Sequence, residues 1–195
     1  MTEKIVLASA SPRRKQILEW AEIPHEVITV ETDESIPEGM ELKEAAKHVA
    51  LQKAMNVKKA LGEKRLILAA DTIVVLEGRR LGKPKDRADA INILTQLQDN
   101  THKVVTGVAI LNGEKQILFA DSTEVTFHKL TPQQIIFYVD NYQPYDKAGA
   151  YAIQEWIGVV GIKSINGDFY NVMGLPVSHV LLELEAMKNP FRNDE

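Results

Sequence analysis

Apolar and polar positions alternate along this chain in short and long blocks. Ile5 to Ala8 is a short apolar run closed by Ser9-Ala10-Ser11-Pro12, the pattern of a buried strand ending in a turn. Pro12 suits the first turn of a helix, where its missing N–H costs nothing, and Ile17, Leu18 and Ala21 follow at helical spacing. His25 to Val30 predicts a second strand, which runs into the acidic segment Glu31-Thr32-Asp33-Glu34. Lys43 to Leu61 is rich in Ala, Lys, Glu and Leu and predicts a long helix ended by Gly62.

Leu66 to Leu76 is the most hydrophobic run and is interrupted only by Asp71-Thr72; the Glu77-Gly78 turn lets Arg80-Leu81 return beside it. Asp86 to Leu97 predicts an N-capped helix with Ala88, Ile91, Leu94 and Leu97 on one face. Two strands are predicted at His102 to Leu111 and Gln116 to Phe127, joined as a hairpin at Asn112-Gly113. Thr131-Pro132 opens a helix to about Asn141. Val159 to Ile165 and Phe169 to Val172 flank Asn166-Gly167 and predict a second hairpin. Pro176 starts a last helix to about Met187, followed by a frayed tail over 188–195. Helices alternate with strands early and hairpins dominate later, which favours an α/β fold with a mixed sheet.

The length of 195 residues fits one domain, with a core over about 4–187, and the 45% hydrophobic content suffices to fill it. No apolar run approaches the roughly 20 residues of a membrane span, and Ile5-Val6-Leu7 is too short for a secretory signal. These features give the cytoplasm as the expected compartment. The chain has no cysteine, which excludes disulfides, thiolate nucleophiles and cysteine-based zinc sites. A net charge of −4 with scattered lysine and arginine argues against a nucleic-acid binder and suits a small anionic ligand.

Several residues are candidates for chemistry. Ser9-Ala10-Ser11-Pro12-Arg13-Arg14 puts hydroxyls and arginines at a strand-to-helix junction, a place suited to phosphate; the plain alternative is a helix start with solvated arginines. There is neither a Walker lysine nor a glycine-rich loop. Asp71 inside an apolar strand must find a partner, bind a metal or lie at an opening, or else bond to nearby backbone in a bend. Lys83, in Leu81-Gly82-Lys83-Pro84, and Lys53, on the long helix, read singly as surface lysines. Gln154, after the loop Asp146-Lys147-Ala148-Gly149-Ala150-Tyr151, either reads a base edge or satisfies backbone groups. The five histidines show no metal or triad spacing, with His48 and His179 expected at a surface or interface. Trp20 and Trp156 are expected to pack in a core or interface.

The order of these motifs is more specific than any one of them. Leu7-Ala8-Ser9-Ala10-Ser11-Pro12-Arg13-Arg14, Asp33-Glu34, Lys53-Ala54, Ala70-Asp71-Thr72, Gly82-Lys83-Pro84, His102 to Thr106-Gly107-Val108, Asp146 to Gln154, and Asn171-Val172-Met173-Gly174-Leu175-Pro176 together resemble the Maf family. The resemblance runs from about residue 4 to 187 and points to the family's dTTP/UTP pyrophosphatase branch, marked by Asp-Lys-Ala-Gly-Ala-Tyr and by glutamine at position 154.

That resemblance implies a bilobed α/β fold like the inosine-triphosphate pyrophosphatases, with a central cleft, frequent homodimers and dependence on Mg²⁺ or Mn²⁺. By the same resemblance, Asp71 matches the proton acceptor, and Arg13, Thr72 and Gln154 match the substrate-specificity positions. Ser9, Arg14, Glu34, Lys53 and Lys83 fall at the remaining polar pocket positions. In the mechanism this suggests, Glu34 and Asp71 hold the metal, the cations bind phosphate, and the Gln154 amide pairs with a pyrimidine edge. The chain departs from the family where Glu155-Trp156 replaces the usual glycine-containing run after the glutamine, so the base pocket is expected to be reshaped there. The rival readings are a pyrophosphatase for 7-methyl-GTP or inosine triphosphate and a non-catalytic regulator of septum formation.

Overall fold

The structure, a computed structural model, describes residues 4–62 and 64–188. The tail expected over 188–195 lies, past Lys188, outside the described residues. Among the described residues seven strands form one mixed sheet: β1 (Ile5–Leu7), β2 (His25–Val27), β3 (Leu66–Leu76), β4 (Arg79–Leu81), β5 (Thr101–Asn112), β6 (Lys115–Phe127) and β7 (Ile162–Asn166). Their order is β2-β1-β3-β5-β6-β7, with β4 paired to β3. β1 runs parallel to β2 and β3, whereas β3 with β4 and β6 with β7 are antiparallel. The helices are α1 (Pro12–Trp20), α2 (Leu42–Leu61), α3 (Arg87–Leu97), α4 (Pro132–Tyr142), α5 (Trp156–Gly161), α6 (Phe169–Met173) and α7 (Val177–Lys188).

Local chemistry accounts for most boundaries. Gly62 takes the left-handed conformation, φ 64°, that ends α2. Asp86 accepts the Asp89 N–H at the start of α3, and Thr131 with Gln134 forms a reciprocal capping box at the start of α4. The predicted second strand is shorter than expected and stops at Val27.

The second predicted hairpin is absent. Val159–Gly161 belongs to α5, and Phe169–Met173 is a helical turn, so β7 pairs with β6 instead. The Gly158 and Val159 N–H groups both donate to the Glu155 carbonyl, at 2.9 and 3.3 Å, which winds the β-branched Val159-Val160 into a helix. After β7, Gly167 has φ 128° and lies so close to Thr123 that a Cβ would meet its Oγ1 at 2.8 Å. Asp168 then accepts the Tyr170 N–H at 2.7 Å and starts α6. Local backbone bonds override strand propensity in α5, and the tertiary contact of Gly167 with Thr123 does so before α6.

The chain divides into two compact units. The first holds residues up to Asp71, Gly107–Ala120 and those from Gly174 onward; the second holds Thr72–Thr106 and Asp121–Met173. In the first, α2 lays Ala50, Ala54 and Val57 on Val6, Ala8, Ile67, Ala69, Ala109 and Leu111 of the sheet. The small side chains allow close approach: a Cβ at Gly107 would lie 2.2 Å from the Ala46 backbone carbon. In the second, α3 packs against α4, and Arg87 makes a two-pronged ion pair with Asp140 at 2.6 and 3.0 Å. Gly107→Ala is therefore expected to destabilise the fold by about 2 kcal/mol or more, since the clash is with backbone that no rotamer change relieves. Urea unfolding compared with wild type measures this directly.

Candidate active site

In the first unit the sequence candidates converge on one lysine. Asp71 lies on β3 just after Ala69 and Ala70, both wholly buried, and its own side chain is 17% exposed. Lys53 Nζ, projecting from α2 and 16% exposed, reaches Asp71 Oδ1 at 2.8 Å and Glu34 Oε1 at 2.9 Å. One ammonium thus ties a strand carboxylate to a carboxylate on the segment between β2 and α2. For a pair this buried, desolvation offsets most of the Coulombic attraction, so added stability does not explain it.

The Ser9 to Arg14 turn belongs to the same unit. Ser9 is buried, and its Oγ accepts from Arg14 Nη1 at 2.9 Å and from the Ser11 N–H at 3.3 Å. Arg14 Nε donates to the Gly174 carbonyl at 2.7 Å, which ties the start of α1 to the chain entering α7. Burial lowers the Arg14 pKa, while the negative charge of Asp71 opposes that shift. A guanidinium remains cationic under such a shift. Arg13, half-buried, follows Pro12 in the first turn of α1.

The second unit holds Thr72, Lys83 and Gln154. Thr72 Oγ1 lies 3.0 Å from Thr106 Oγ1, and Thr106 Oγ1 donates to the Asn171 carbonyl at 3.0 Å. With the single Thr106 proton committed there, Thr72 is the donor to Thr106. Asn171 Nδ2 donates to the Val104 carbonyl at 3.1 Å and to Thr123 Oγ1 at 2.9 Å, holding this buried network in place. Lys83 is exposed after β4. Its turn is joined to the 146–151 segment by the Gly149 N–H, which donates to the Gly82 carbonyl at 3.1 Å. Gly149 has φ 72°, and a Cβ there would meet Val74 Cγ1 at 2.9 Å, so glycine is required at this contact. Gln154 is half-buried, and its Oε1 is buried with no hydrogen-bond partner among the described residues.

Among the described residues no three His, Asp or Glu side chains form a ready-made metal cage. Glu34 and Asp71 nonetheless converge on a single cationic group. Such a two-carboxylate donor set fits a Mg²⁺-like ion, which takes its other ligands from water and phosphate.

The histidines and tryptophans are divided between the two units. His102, whose spacing suggested nothing, is buried on β5, with Nε2 2.7 Å from the Tyr151 hydroxyl. Strand alternation, which turns His102 and Val104 inward together, was the available signal. Trp156 packs against Phe137 with ring centres 4.8 Å apart, as expected of a packing residue. Trp20 does not join the core and is 55% exposed at the end of α1. His48 and His179 are half-buried; His48 Nε2 lies 3.0 Å from Gln52 Nε2, and His179 stacks on Phe119.

The family model for Maf-like proteins matches residues 4–187. The chain belongs to the Maf-like family. Relatives named dTTP/UTP pyrophosphatase support the same placement. The protein from Cytophaga hutchinsonii is 49% identical over 95% of this chain and 85% of its own length. Those from Bacteroides fragilis and Bacillus cytotoxicus are 45% and 44% identical, each covering 94% of this chain, with 96% and 95% of their own lengths. Among solved structures, the Ham1 protein of Staphylococcus aureus has a TM-score of 0.50 at 18% identity, over 94% of this chain and all of that one. The HAM1 protein from Coxiella burnetii also has a TM-score of 0.50, at 19% identity, over 93% and 100%. These two show likeness of fold alone, and the mixed-sheet α/β expectation holds for this Maf-like chain. Among the described residues no helix is long and apolar enough to cross a membrane.

Burial lowers the His102 pKa from 6.5 to about 4. Between these values the unfolded chain binds a proton that the folded one refuses, so stability rises with pH across that window. The contribution is complete above pH 6.5 and is lost as pH falls toward 4, by an amount on the order of 3 kcal/mol. In His102→Gln the fall in thermal midpoint between pH 7 and pH 4.5 should shrink. An equally steep fall would show that His102 is not the group responsible.

Proposed function

We propose that this Maf-like chain is a nucleoside triphosphate pyrophosphatase that hydrolyses dTTP and UTP to the monophosphate and pyrophosphate. The observation that carries the reading is the Lys53 ammonium of α2 held between Asp71, on a largely apolar strand, and Glu34, on the segment before the helix. The name shared by relatives of 40–49% identity supports it.

In the proposed reaction a water oxygen attacks the α-phosphorus in line with the departing pyrophosphate. Asp71 orients that water and accepts its proton. Lys53 fixes Asp71 through the 2.8 Å contact to Oδ1, so the carboxylate is oriented before substrate arrives. Arg13, Arg14, Lys53 and Lys83, with the Ser9 hydroxyl, are the proposed phosphate-binding groups, and the cations among them offset the charge developing on the leaving group. Asp71 and Glu34 are the residues that would hold Mg²⁺ or Mn²⁺, which supplies further neutralisation of phosphate charge when bound.

Gln154 is the proposed base reader, with Thr72 beside it in the specificity set. A buried amide oxygen without a donor is costly, and the N3–H of uracil or thymine supplies that donor while O4 accepts from Nε2. Cytosine and adenine lack this pattern and leave the amide unmatched. Guanine and hypoxanthine share it, so they belong in any substrate panel. The proposed compartment is the cytoplasm, where nucleoside triphosphates are abundant.

The deciding experiment is pyrophosphate release across the common nucleoside triphosphates, inosine triphosphate and 7-methyl-GTP, with Mg²⁺, with Mn²⁺ and after chelation. Metal-dependent release with dTTP and UTP preferred is expected; no release from any of them would overturn the proposal. Asp71→Asn should lose at least roughly 10²-fold in kcat with the fold intact. Turnover at the wild-type rate would remove Asp71 from the chemistry. Gln154→Glu replaces the amide donor with an acceptor, so preference should move away from dTTP and UTP; an unchanged profile would dissociate Gln154 from the base.

A further inference from the structure

The chain around Gln154 is anchored by side chains that take no part in the reaction described above. Glu155 Oε2 accepts the Tyr138 hydroxyl proton, and its Oε1 lies 3.5 Å from Lys147 Nζ. Tyr138 is wholly buried on α4, and its hydroxyl oxygen accepts the Ala152 N–H at 3.2 Å. One tyrosine therefore clamps the chain on both sides of Gln154, through the Ala152 backbone and the Glu155 carboxylate. Three residues before Gln154, the Tyr151 hydroxyl meets His102 Nε2 at 2.7 Å. On the other side, a Cβ at Gly158 would lie 1.7 Å from the Ile153 carbonyl oxygen, so the turn closes tightly behind the glutamine.

The contrast with Gln154 itself is what matters. Tyr151, Ala152, Glu155 and Trp156 all have defined partners, while the buried Oε1 of Gln154 has none among the described residues. A charge-assisted bond from a buried tyrosine to a carboxylate balanced by a lysine is a strong way to hold a short turn. Such an arrangement fixes the backbone that carries Gln154, and thereby the place from which its amide reaches out. Glu155 and Trp156, where this chain departs from the glycine-containing run, are thus directed to α4 and Lys147.

We propose that Glu155, held by Tyr138 and Lys147, is a positioning residue for base discrimination. It rests on the base-reading role of Gln154. With the clamp intact, the amide offers an acceptor to N3–H and a donor to O4 of uracil. With the clamp loosened, the amide is displaced from that edge and discriminates less against cytosine, which presents an acceptor at N3 and a donor at N4. Discrimination between UTP and CTP then depends on Glu155, while the rate of bond cleavage does not.

The test is steady-state kinetics with UTP and CTP on wild type, Glu155→Ala, Glu155→Gln and Tyr138→Phe, with thermal unfolding of each. Glu155→Ala and Tyr138→Phe should each cut the UTP-to-CTP ratio of kcat/KM by roughly 10-fold, mainly by raising KM for UTP, as expected of sub-ångström misplacement. Glu155→Gln still accepts from Tyr138 and should keep the ratio within about 3-fold of wild type, which a bulk packing defect would not reproduce. If Glu155→Ala fails to fold, Tyr138→Phe carries the comparison. An unchanged ratio in the folded variants, or a loss confined to kcat, overturns the positioning role alone. A wild-type protein that does not prefer UTP over CTP overturns the base-reading role and this inference with it.

Discussion

A close backbone approach in the first unit, α2 against β5 at Gly107, together with Ala50, Ala54 and Val57 on the sheet, sets how deeply that helix lies. With hydrogen alone at Gly107 and a methyl at Ala46, the helix backbone comes down onto the strand, where a Cβ would have met Ala46 at 2.2 Å. Two turns along the same helix, Lys53 leaves the edge of its buried face. From there its ammonium reaches Asp71 and Glu34.

The cluster makes sense as readiness for a ligand rather than as a device for stability. An aspartate on an oily strand is costly unless paired, and the pair with Lys53 does little more than offset that cost. Glu34, on a segment with 53% of its side chain exposed, shares the same ammonium from the solvent side. Opposite charges gathered at a partly open place, next to a turn that holds Ser9 and Arg14 rigid, are suited to a polyanion with its counter-ion. The rigidity comes from ordinary sources: Arg14 is committed to a carbonyl of the chain entering α7 and to the Ser9 hydroxyl.

The second unit follows a different logic, in which backbone and buried hydroxyls position polar side chains. Thr106 passes its single proton to a carbonyl and so orients Thr72; Gly149 joins the Lys83 turn to the loop leading to Gln154; Tyr138 holds both flanks of that glutamine. Glu155 and Trp156 are built into this support: Glu155 joins Tyr138 and Lys147, and Trp156 packs on Phe137.

Much of this protein was legible along the chain. Caps and turn residues a few positions apart specify α1, α2, α3, α4 and the β5–β6 hairpin, and the apolar runs of β1 and β3 mark them as buried strands although their partners lie far along the chain. The order of motifs was enough to identify the family and to nominate Asp71, Lys53 and Gln154. Three features lay beyond it. The helices α5 and α6 form where strand propensity pointed to a hairpin, since Gly158, Gly167 and Asp168 close turns against Ile153 and Thr123. His102 was passed over because its partner, Tyr151, is 49 residues away. That Lys53 bridges Asp71 and Glu34 was likewise undecided until a helix, a strand and a loop were placed together. Local sequence determined most of the elements, α5 and α6 excepted, and which side chains are available for chemistry; tertiary structure alone decided which of them meet, because hydrogen bonds and ion pairs depend on distances that chain spacing does not set.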